Sequence, residues 1–320
     1  MKKLFIIILI ISLCMTMLAG CGNKKEDDTG KTAAPTTGPT AAPTQEATDI
    51  SGMQPEEYFN FDPATGTLNG FQLEILGVTD IVIPAKIAGA DVRIIASNAF
   101  NGVGLKSVVF PETLDKIETN AFANNFLTQI ELPNNISSLG IGAFEKNDIT
   151  EVVIPESITK IDIGVFSSNK LTKITLPDTI TSIGRNAFAT NLLTEVIIPP
   201  LVKVIGSFAF ADNLIENVEF NNGLERIDGR AFSINKLTSI TIPASVQSIG
   251  LASEGTTPPT NYERFVFSYN PQINSVTMLG SNAEIEPFFL AENNNFRMAY
   301  TTGGAGTYTG SQYGKWEKID

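Results

Sequence analysis

The chain contains no histidine and only two cysteines among its 320 residues. Without an imidazole it cannot build a Ser-His-Asp triad, a Cys-His pair or a histidine metal ligand. It also has no phosphate-cradling glycine loop, no metal-ligand spacing and no nucleophile elbow. We therefore expect a protein that is not an enzyme, with no catalytic residue, no metal and no cofactor.

Basic residues are scarce as well. The 22 Lys and Arg are outnumbered by 34 Asp and Glu, which gives a formal net charge of −12. An acidic surface disfavours contact with nucleic-acid phosphates and with anionic lipid headgroups. The composition therefore argues against nucleic acid as a partner. Electrostatics favour a basic partner instead, although acidity also serves solubility.

The N-terminus has the pattern of a secretion signal. Lys2 and Lys3 precede an apolar stretch that runs from Leu4 to Leu13, and small residues follow it. The segment from Leu18 to Cys21, LAGC, is similar to a bacterial lipobox, which is cleaved before a cysteine whose thiol carries a diacylglycerol. Two acyl chains suffice for stable membrane anchoring. We predict a signal peptide over 1–20 and lipidation of Cys21.

The rival interpretation is an uncleaved membrane anchor. The 17-residue stretch over 4–20 is only just long enough to span a bilayer. The segment over 32–48 that follows, TAAPTTGPTAAPTQEAT, has no aliphatic side chain larger than Ala. Such a composition cannot bury enough apolar surface to fold. We therefore predict a disordered tether over 21–57, with the lipid anchor as the only membrane contact.

A period of 22 residues dominates the rest of the chain. From each repeating Phe, an Asn falls at +3, aliphatic residues at +5, +8 and +10, a Pro at +11, and aliphatics at +14 and +17. Positions +8 and +10 share one face of a strand, and the proline ends that strand. A fixed period of this size is typical of a solenoid. The phenylalanines are Phe100, Phe122, Phe144, Phe166, Phe188, Phe210 and Phe232.

We expect a repeat solenoid, a right-handed coil of about nine turns of 22 residues. A parallel β-sheet would form one face, with short turn or helical segments on the other. The Asn at +3 could form a ladder of ligands or satisfy backbone groups within a turn. The second interpretation is favoured because the Asn follows the core pattern in every coil.

The repeat unit, for example FSSNKLTKITLPDTITSIGRNAF over 166–188, resembles the BspA-type leucine-rich repeat of bacterial cell-surface proteins. Residues 58–100 are similar to the N-terminal coil of that family, and 305–316 are similar to its C-terminal ending. The resemblance implies surface display and protein binding or adhesion, and carries over no catalytic residue. Repeats are predicted over 101–290, with an insertion at 251–265, and a C-terminal cap over 291–320.

The outward residues of the predicted strands, at +7 and +9, form the first candidate binding site. Apolar side chains with an acidic rim are typical of a protein-binding face. The alternative is that β-branched residues simply suit strands. The candidates are Val109, Glu131, Glu151, Val153, Thr175, Glu195, Ile197 and Glu219.

Two further regions are candidates. The insertion offers Tyr262 and Arg264, residue types that are frequent in interface hot spots. The aromatic tail suits either carbohydrate stacking or a cap over the last coil; its aromatics are Tyr300, Tyr308, Tyr313 and Trp316.

The function predicted is noncatalytic recognition of a protein or glycan at the extracellular face of a bacterial cell membrane, as an adhesin or interaction scaffold. The alternatives are a structural envelope component without a ligand and a glycan-binding module.

Overall fold

The structure is a computed structural model that describes residues 54–71, 78–250, 265–285, 296–311 and 314–320. All of them belong to one compact unit, Asp49–Asp320. The predicted signal peptide, Cys21 and nearly all of the tether lie outside the described residues, as do Tyr262, Arg264 and Tyr313.

Short strands make up most of the regular structure in the described ranges, with a 3-10 turn at Glu56–Tyr58 before them and a helix, α1 (Phe296–Gly303), ahead of the last two strands. In chain order the strands are β1 (Phe59–Asp62), β2 (Thr67–Phe71), β3 (Asp80–Val82), β4 (Lys86–Ile87), β5 (Ala90–Asp91), β6 (Ile94–Ile95), β7 (Ser107–Val109), β8 (Lys116–Ile117), β9 (Ser138–Leu139), β10 (Glu151–Val153), β11 (Lys160–Ile161), β12 (Lys173–Thr175), β13 (Ser182–Ile183), β14 (Glu195–Ile197), β15 (Val204–Ile205), β16 (Asn217–Glu219), β17 (Arg226–Ile227), β18 (Ser239–Ile242), β19 (Ser248–Ile249), β20 (Ser275–Met278), β21 (Glu284–Ile285), β22 (Gly306–Thr309) and β23 (Glu317–Lys318).

The predicted parallel ladder forms on one side of the coils, and the solenoid fold is confirmed. Its strands pair in parallel as β3–β7, β10–β12, β14–β16 and β18–β20, in separate ladders and not in one continuous sheet, and residues 129–131 form no strand between them. Together we call these pairs the first ladder. The partners lie one repeat apart, as in the pair Glu151 and Lys173. Strands β3, β7, β10, β12, β14 and β18 end one or two residues before a proline, which cannot donate to the ladder.

A second parallel ladder, not predicted from the sequence, runs along another side. It comprises β2–β6–β8–β9 and then β11–β13–β15–β17–β19–β21. These strands take the residues at +16 and +17, such as Ser182 and Ile183, which pair with Val204 and Ile205. A strand of two residues shows too little alternation to be recognised as a strand in a sequence.

Tight turns around the repeating Phe close each coil on its remaining side. Backbone N–H groups there bond to carbonyls of the next coil, as from Phe122 to Ala143 at 2.9 Å and from Asn124 to Glu145 at 2.9 Å. In the turns from Phe100 to Phe232, the two residues at −2 and +2 from the Phe adopt a positive φ. Asn and Gly tolerate this conformation best. Larger side chains also adopt it, at Lys146, Phe208, Arg230 and Ile234.

The phenylalanines form a continuous stack inside the coils. Neighbouring rings lie 5.2–5.8 Å apart with interplanar angles of 2–15°. All eight rings of the stack are fully buried; they are Phe100, Phe122, Phe144, Phe166, Phe188, Phe210, Phe232 and Phe267. The stack is therefore core, because no edge of it is available to a ligand.

The asparagines at +3 connect adjacent coils. The Asn169 Nδ2 donates to the carbonyls of Phe144 at 2.9 Å and Phe166 at 3.2 Å, and its Oδ1 accepts from the Ile149 N–H at 3.1 Å. The same arrangement recurs along the column, and every member is at most 8% exposed. These side chains satisfy backbone groups, so they are not a ladder of ligands. The column is Asn125, Asn147, Asn169, Asn191, Asn213, Asn235 and Asn270.

Two departures from the repeat have local explanations. Asn221 occupies the proline position of its coil, and its Nδ2 donates to the Pro199 carbonyl at 2.7 Å. The first coil carries five extra residues before Phe100, where Pro84 lies 16 rather than 11 positions upstream. Strands β4 and β5 form a hairpin within that coil, with a two-residue loop whose φ angles are both positive. The hairpin accommodates the extra length without changing the stacking.

Both ends of the stack of coils are covered. At the start, β1 pairs antiparallel with β2, and Phe59 stacks on Phe71. At the end, β22 pairs antiparallel with β20, and β23 with β22. Tyr300, Tyr308 and Trp316 are at most 4% exposed. These three rings close the core and offer no face to a sugar. Among the described helices, none has the length and apolarity needed to cross a bilayer.

Candidate functional site

The first ladder presents a regular alternation of side chains. In β10 the central Val152 is 3% exposed, whereas its neighbours Glu151 and Val153 point to solvent. The same pattern recurs in β14 around Val196. It follows from the two-residue period of a strand, which sends successive side chains to opposite faces. The predicted outward positions +7 and +9 are therefore the exposed positions of this sheet.

Seven of the eight predicted face residues come together in two columns. The +9 column carries Glu131, Val153, Thr175, Ile197 and Glu219 on successive coils, and the +7 column carries Glu151, Lys173 and Glu195 beside it. All eight of these side chains are exposed. We call this surface the ladder face. Val109 occupies the +9 position of the preceding coil but is half-buried, so it contributes less surface.

Val153 and Ile197 are the apolar centre of the ladder face. Each is 66% exposed, more than any other large apolar side chain in the described ranges. They lie two coils apart, with Thr175 between them. At about 4.8 Å per coil, the two side chains are separated by roughly 10 Å. Two aliphatic side chains at this separation suit contact with two neighbouring apolar groups of a partner.

Three carboxylates of the ladder face are not neutralised within the described part of the protein. In the described part of the chain, Glu151, Glu195 and Glu219 form no ion pair and their carboxylates accept no hydrogen bond. Lys173 lies in register with Glu151, yet the two form no ion pair. By contrast, Lys203 pairs with Glu225 at 3.1 Å on the second ladder. Glu151, Glu195 and Glu219 therefore keep their charges available to an external partner.

Two acidic residues of this region were not predicted from the sequence. Glu156 and Asp178 follow the buried Pro155 and Pro177 and are exposed beside the +9 column. The signal was present in the repeat, because both occupy position +12, directly after the proline that ends the strand. They extend the acidic rim around Val153.

Metal binding has little support in the described ranges. No cluster of three or more His, Cys, Asp or Glu side chains there could hold a metal ion. The carboxylates of the ladder face are spread over successive coils and do not converge on one point.

The repeat pattern also matches a known family. The sequence profile described as "BspA type Leucine rich repeat region" matches six copies, over residues 74–192 and 164–253. Together these ranges cover more than half of the chain. The chain belongs to the BspA-type leucine-rich repeat family. The repeats of this family are generally non-catalytic and suggest a protein-interaction scaffold.

Solved leucine-rich repeat proteins of bacteria share the fold. One from Bacteroides ovatus is 23% identical over 69% of this chain and 69% of its own, with a TM-score of 0.52. A leucine-rich cell surface protein from Faecalibacterium prausnitzii is 20% identical, covers 74% of this chain and 79% of its own, and gives a TM-score of 0.42. No curated protein sequence matches the chain. Identities this low establish the fold and carry no function across.

Proposed function

We propose that this BspA-type repeat protein is a noncatalytic recognition protein, an adhesin or interaction scaffold, that binds a protein partner through the ladder face. The observation that carries the proposal is the 66% exposure of both Val153 and Ile197, on strands β10 and β14, whose central apolar side chains Val152 and Val196 point into the core. The paired strands hold these side chains in place before binding, so little ordering entropy is lost when a partner docks.

The proposed location is the outer face of a bacterial cell membrane, with lipidated Cys21 as the anchor. Support comes from the LAGC segment at Leu18–Cys21, from the polar tether that follows it, and from the family's association with cell surfaces. The F. prausnitzii structure is itself described as a cell surface protein. A tether rich in Pro and Thr would hold the repeats away from the bilayer.

The recognition proposal is tested by capture on the immobilised full chain. The variant Val153→Lys with Ile197→Lys is compared with a matched control, Phe126→Lys with Leu279→Lys, whose parent side chains are 57% and 53% exposed away from the ladder face. Extracellular proteins and a glycan array are offered to all three proteins. We expect saturable protein capture by the parent and the control, and its loss in the ladder-face variant, with equal thermal unfolding throughout.

Other outcomes contradict the proposal in distinct ways. Equal capture by the ladder-face variant would move the site elsewhere, for example to the insertion with Tyr262 and Arg264. Capture of glycans alone would favour a glycan-binding module. No saturable ligand, together with envelope defects on deletion of the gene, would favour a structural envelope component.

The anchor is tested separately in cells. Metabolic labelling with an alkyne-bearing fatty acid should label the parent and not a Cys21→Ser variant. Protease added to intact cells should cleave the labelled parent. Labelling of the Cys21→Ser variant, or protection of the parent from protease, would contradict lipid anchoring at the outer face.

A further inference from the structure

Acidic side chains surround the apolar centre of the ladder face. Glu131 and Glu219 flank Val153 and Ile197 in the +9 column, and Glu151 and Glu195 lie in the +7 column. The +12 position on the other side adds two more acidic residues. Lys173 is the one cation within this ring. Six carboxylates and one ammonium give the ring a net charge of −5. The carboxylates are Glu131, Glu151, Glu156, Asp178, Glu195 and Glu219.

Five of these six carboxylates form no ion pair and accept no hydrogen bond in the part of the chain that the structure describes; they are Glu151, Glu156, Asp178, Glu195 and Glu219. Elsewhere many acidic residues are paired within the protein, as in Lys170 with Asp148 at 2.7 Å. Like charges one or two coils apart lie within or near the Debye length of about 8 Å at physiological salt, so they repel each other in the free protein. A cationic partner would relieve this repulsion.

We propose that the partner presents a cationic polypeptide segment to the ladder face, an inference that rests on the proposed function. Two of its aliphatic side chains, roughly 10 Å apart, pack against Val153 and Ile197, and its Lys or Arg side chains reach the surrounding carboxylates. In a segment with polyproline II conformation, residues i and i+3 lie on the same face and are separated by about 9 Å, at about 3.1 Å per residue. Acidic proteins and sulfated glycans are repelled by the same ring.

Three 12-residue peptides test this chemistry on the full chain, purified in a neutral detergent. One consists of four repeats of Lys-Ile-Lys, the second of Lys-Ser-Lys and the third of Glu-Ile-Glu. Fluorescence anisotropy measures the binding of each peptide. We expect the Lys-Ile peptide to bind at least about tenfold more tightly than the Lys-Ser peptide, and the Glu-Ile peptide not to bind. Raising NaCl from about 50 to about 500 mM should weaken binding of the Lys-Ile peptide about tenfold.

Variants locate the binding site. Glu151→Gln, Glu195→Gln and Glu219→Gln in one chain should weaken binding of the Lys-Ile peptide about tenfold. Val153→Ser with Ile197→Ser should reduce its affinity to that of the Lys-Ser peptide. The control carries the same kind of change outside the ladder face and its +12 rim, in Glu57→Gln, Glu118→Gln and Glu225→Gln, and should bind as the parent does.

Different experimental results would contradict the inference and the proposed function. Binding of the Glu-Ile peptide, equal binding of the Lys-Ser and Lys-Ile peptides, or an unchanged affinity in the three-Gln variant would overturn the inference. If the immobilised parent still captured a protein through Val153 and Ile197, the proposed function would stand with a partner of other chemistry. If the Val153 and Ile197 variants retained both activities, the ladder face would be excluded from both.

Discussion

Removal of one buried asparagine should show how far the coils depend on their amide column. In Asn169→Ala the Ile149 N–H loses its partner, which is the Asn169 Oδ1 at 3.1 Å. The Phe144 carbonyl keeps a bond from the Asn147 Nδ2 at 3.2 Å, and the Phe166 carbonyl keeps one from the Asn191 Nδ2 at 3.0 Å. The Ser167 carbonyl, which also accepts from the Asn169 Nδ2 at 3.4 Å, keeps a bond from the Lys146 N–H at 2.9 Å. One buried donor is therefore orphaned, while three acceptors are only weakened.

The expected loss of stability follows from the number of hydrogen bonds that Asn169→Ala removes. An unsatisfied buried N–H costs about 1–3 kcal/mol, and the weakened carbonyl bonds add to this. We expect the free energy of unfolding to fall by about 2–3 kcal/mol, which lowers the Tm of a domain of this size by about 5–10 °C. Thermal unfolding of the full chain, followed by circular dichroism, measures the change.

Asn134→Ala is the matched control for this experiment. Asn134 is exposed and its side chain makes no hydrogen bond in the described part of the chain. Its removal should change the free energy of unfolding by less than about 0.5 kcal/mol. Equal Tm values for the two variants would refute the bridging role of the column.

Three further changes test the turns, the coil contacts and an exposed carboxylate. Ile234 has a φ of 55°, a left-handed conformation that Asn adopts at lower cost than a β-branched residue. Ile234→Asn should therefore raise the free energy of unfolding, measured by urea titration, by about 1 kcal/mol. A Cβ on Gly184 would lie 2.8 Å from the Asp162 carbonyl carbon, so Gly184→Ala should lower Tm through a loss of about 1–3 kcal/mol. Hydrogen bonds from Ser107 and Thr79 lower the pKa of Asp80. Its charged form thus stabilises the fold above the unfolded pKa of about 3.9, and this is lost as pH falls through the lower folded value. Asp80→Asn should therefore lower Tm slightly at pH 7 and not at pH 2.

Each of these expectations has a contrary result. Leu192→Asn, at an exposed position outside the set with positive φ, should give no gain; an equal gain there would mean that Ile234→Asn acts through surface polarity. An unchanged Tm in Gly184→Ala would show that adjacent coils move apart readily. A Tm difference for Asp80→Asn that persisted at pH 2 would assign the effect to packing and not to charge.

The ladder face shows how much of a candidate binding surface the repeat pattern can predict. Positions +7 and +9 were predicted to face solvent, and the alternation in β10 and β14 confirms that geometry. Their role in binding remains a prediction. The residue type alone did not separate Val109, which is half-buried, from Val153, which is 66% exposed, although both occupy +9. The exposure of a +9 side chain depends on how the neighbouring coils pack, and the sequence of a single repeat does not contain that information.

By itself the sequence determined the solenoid, because a 22-residue period repeats one coil and stacking repeats its contacts. It also determined the inward Phe and Asn columns and the direction of alternate side chains in the first ladder, since these follow from local periodicity. Only the tertiary structure decided the second ladder, the bridging of adjacent coils by Asn169 and its counterparts, and the absence of ion pairs at Glu151 and Glu195. These features depend on contacts between residues about 20 or more positions apart, and such contacts exist only after the coils have stacked.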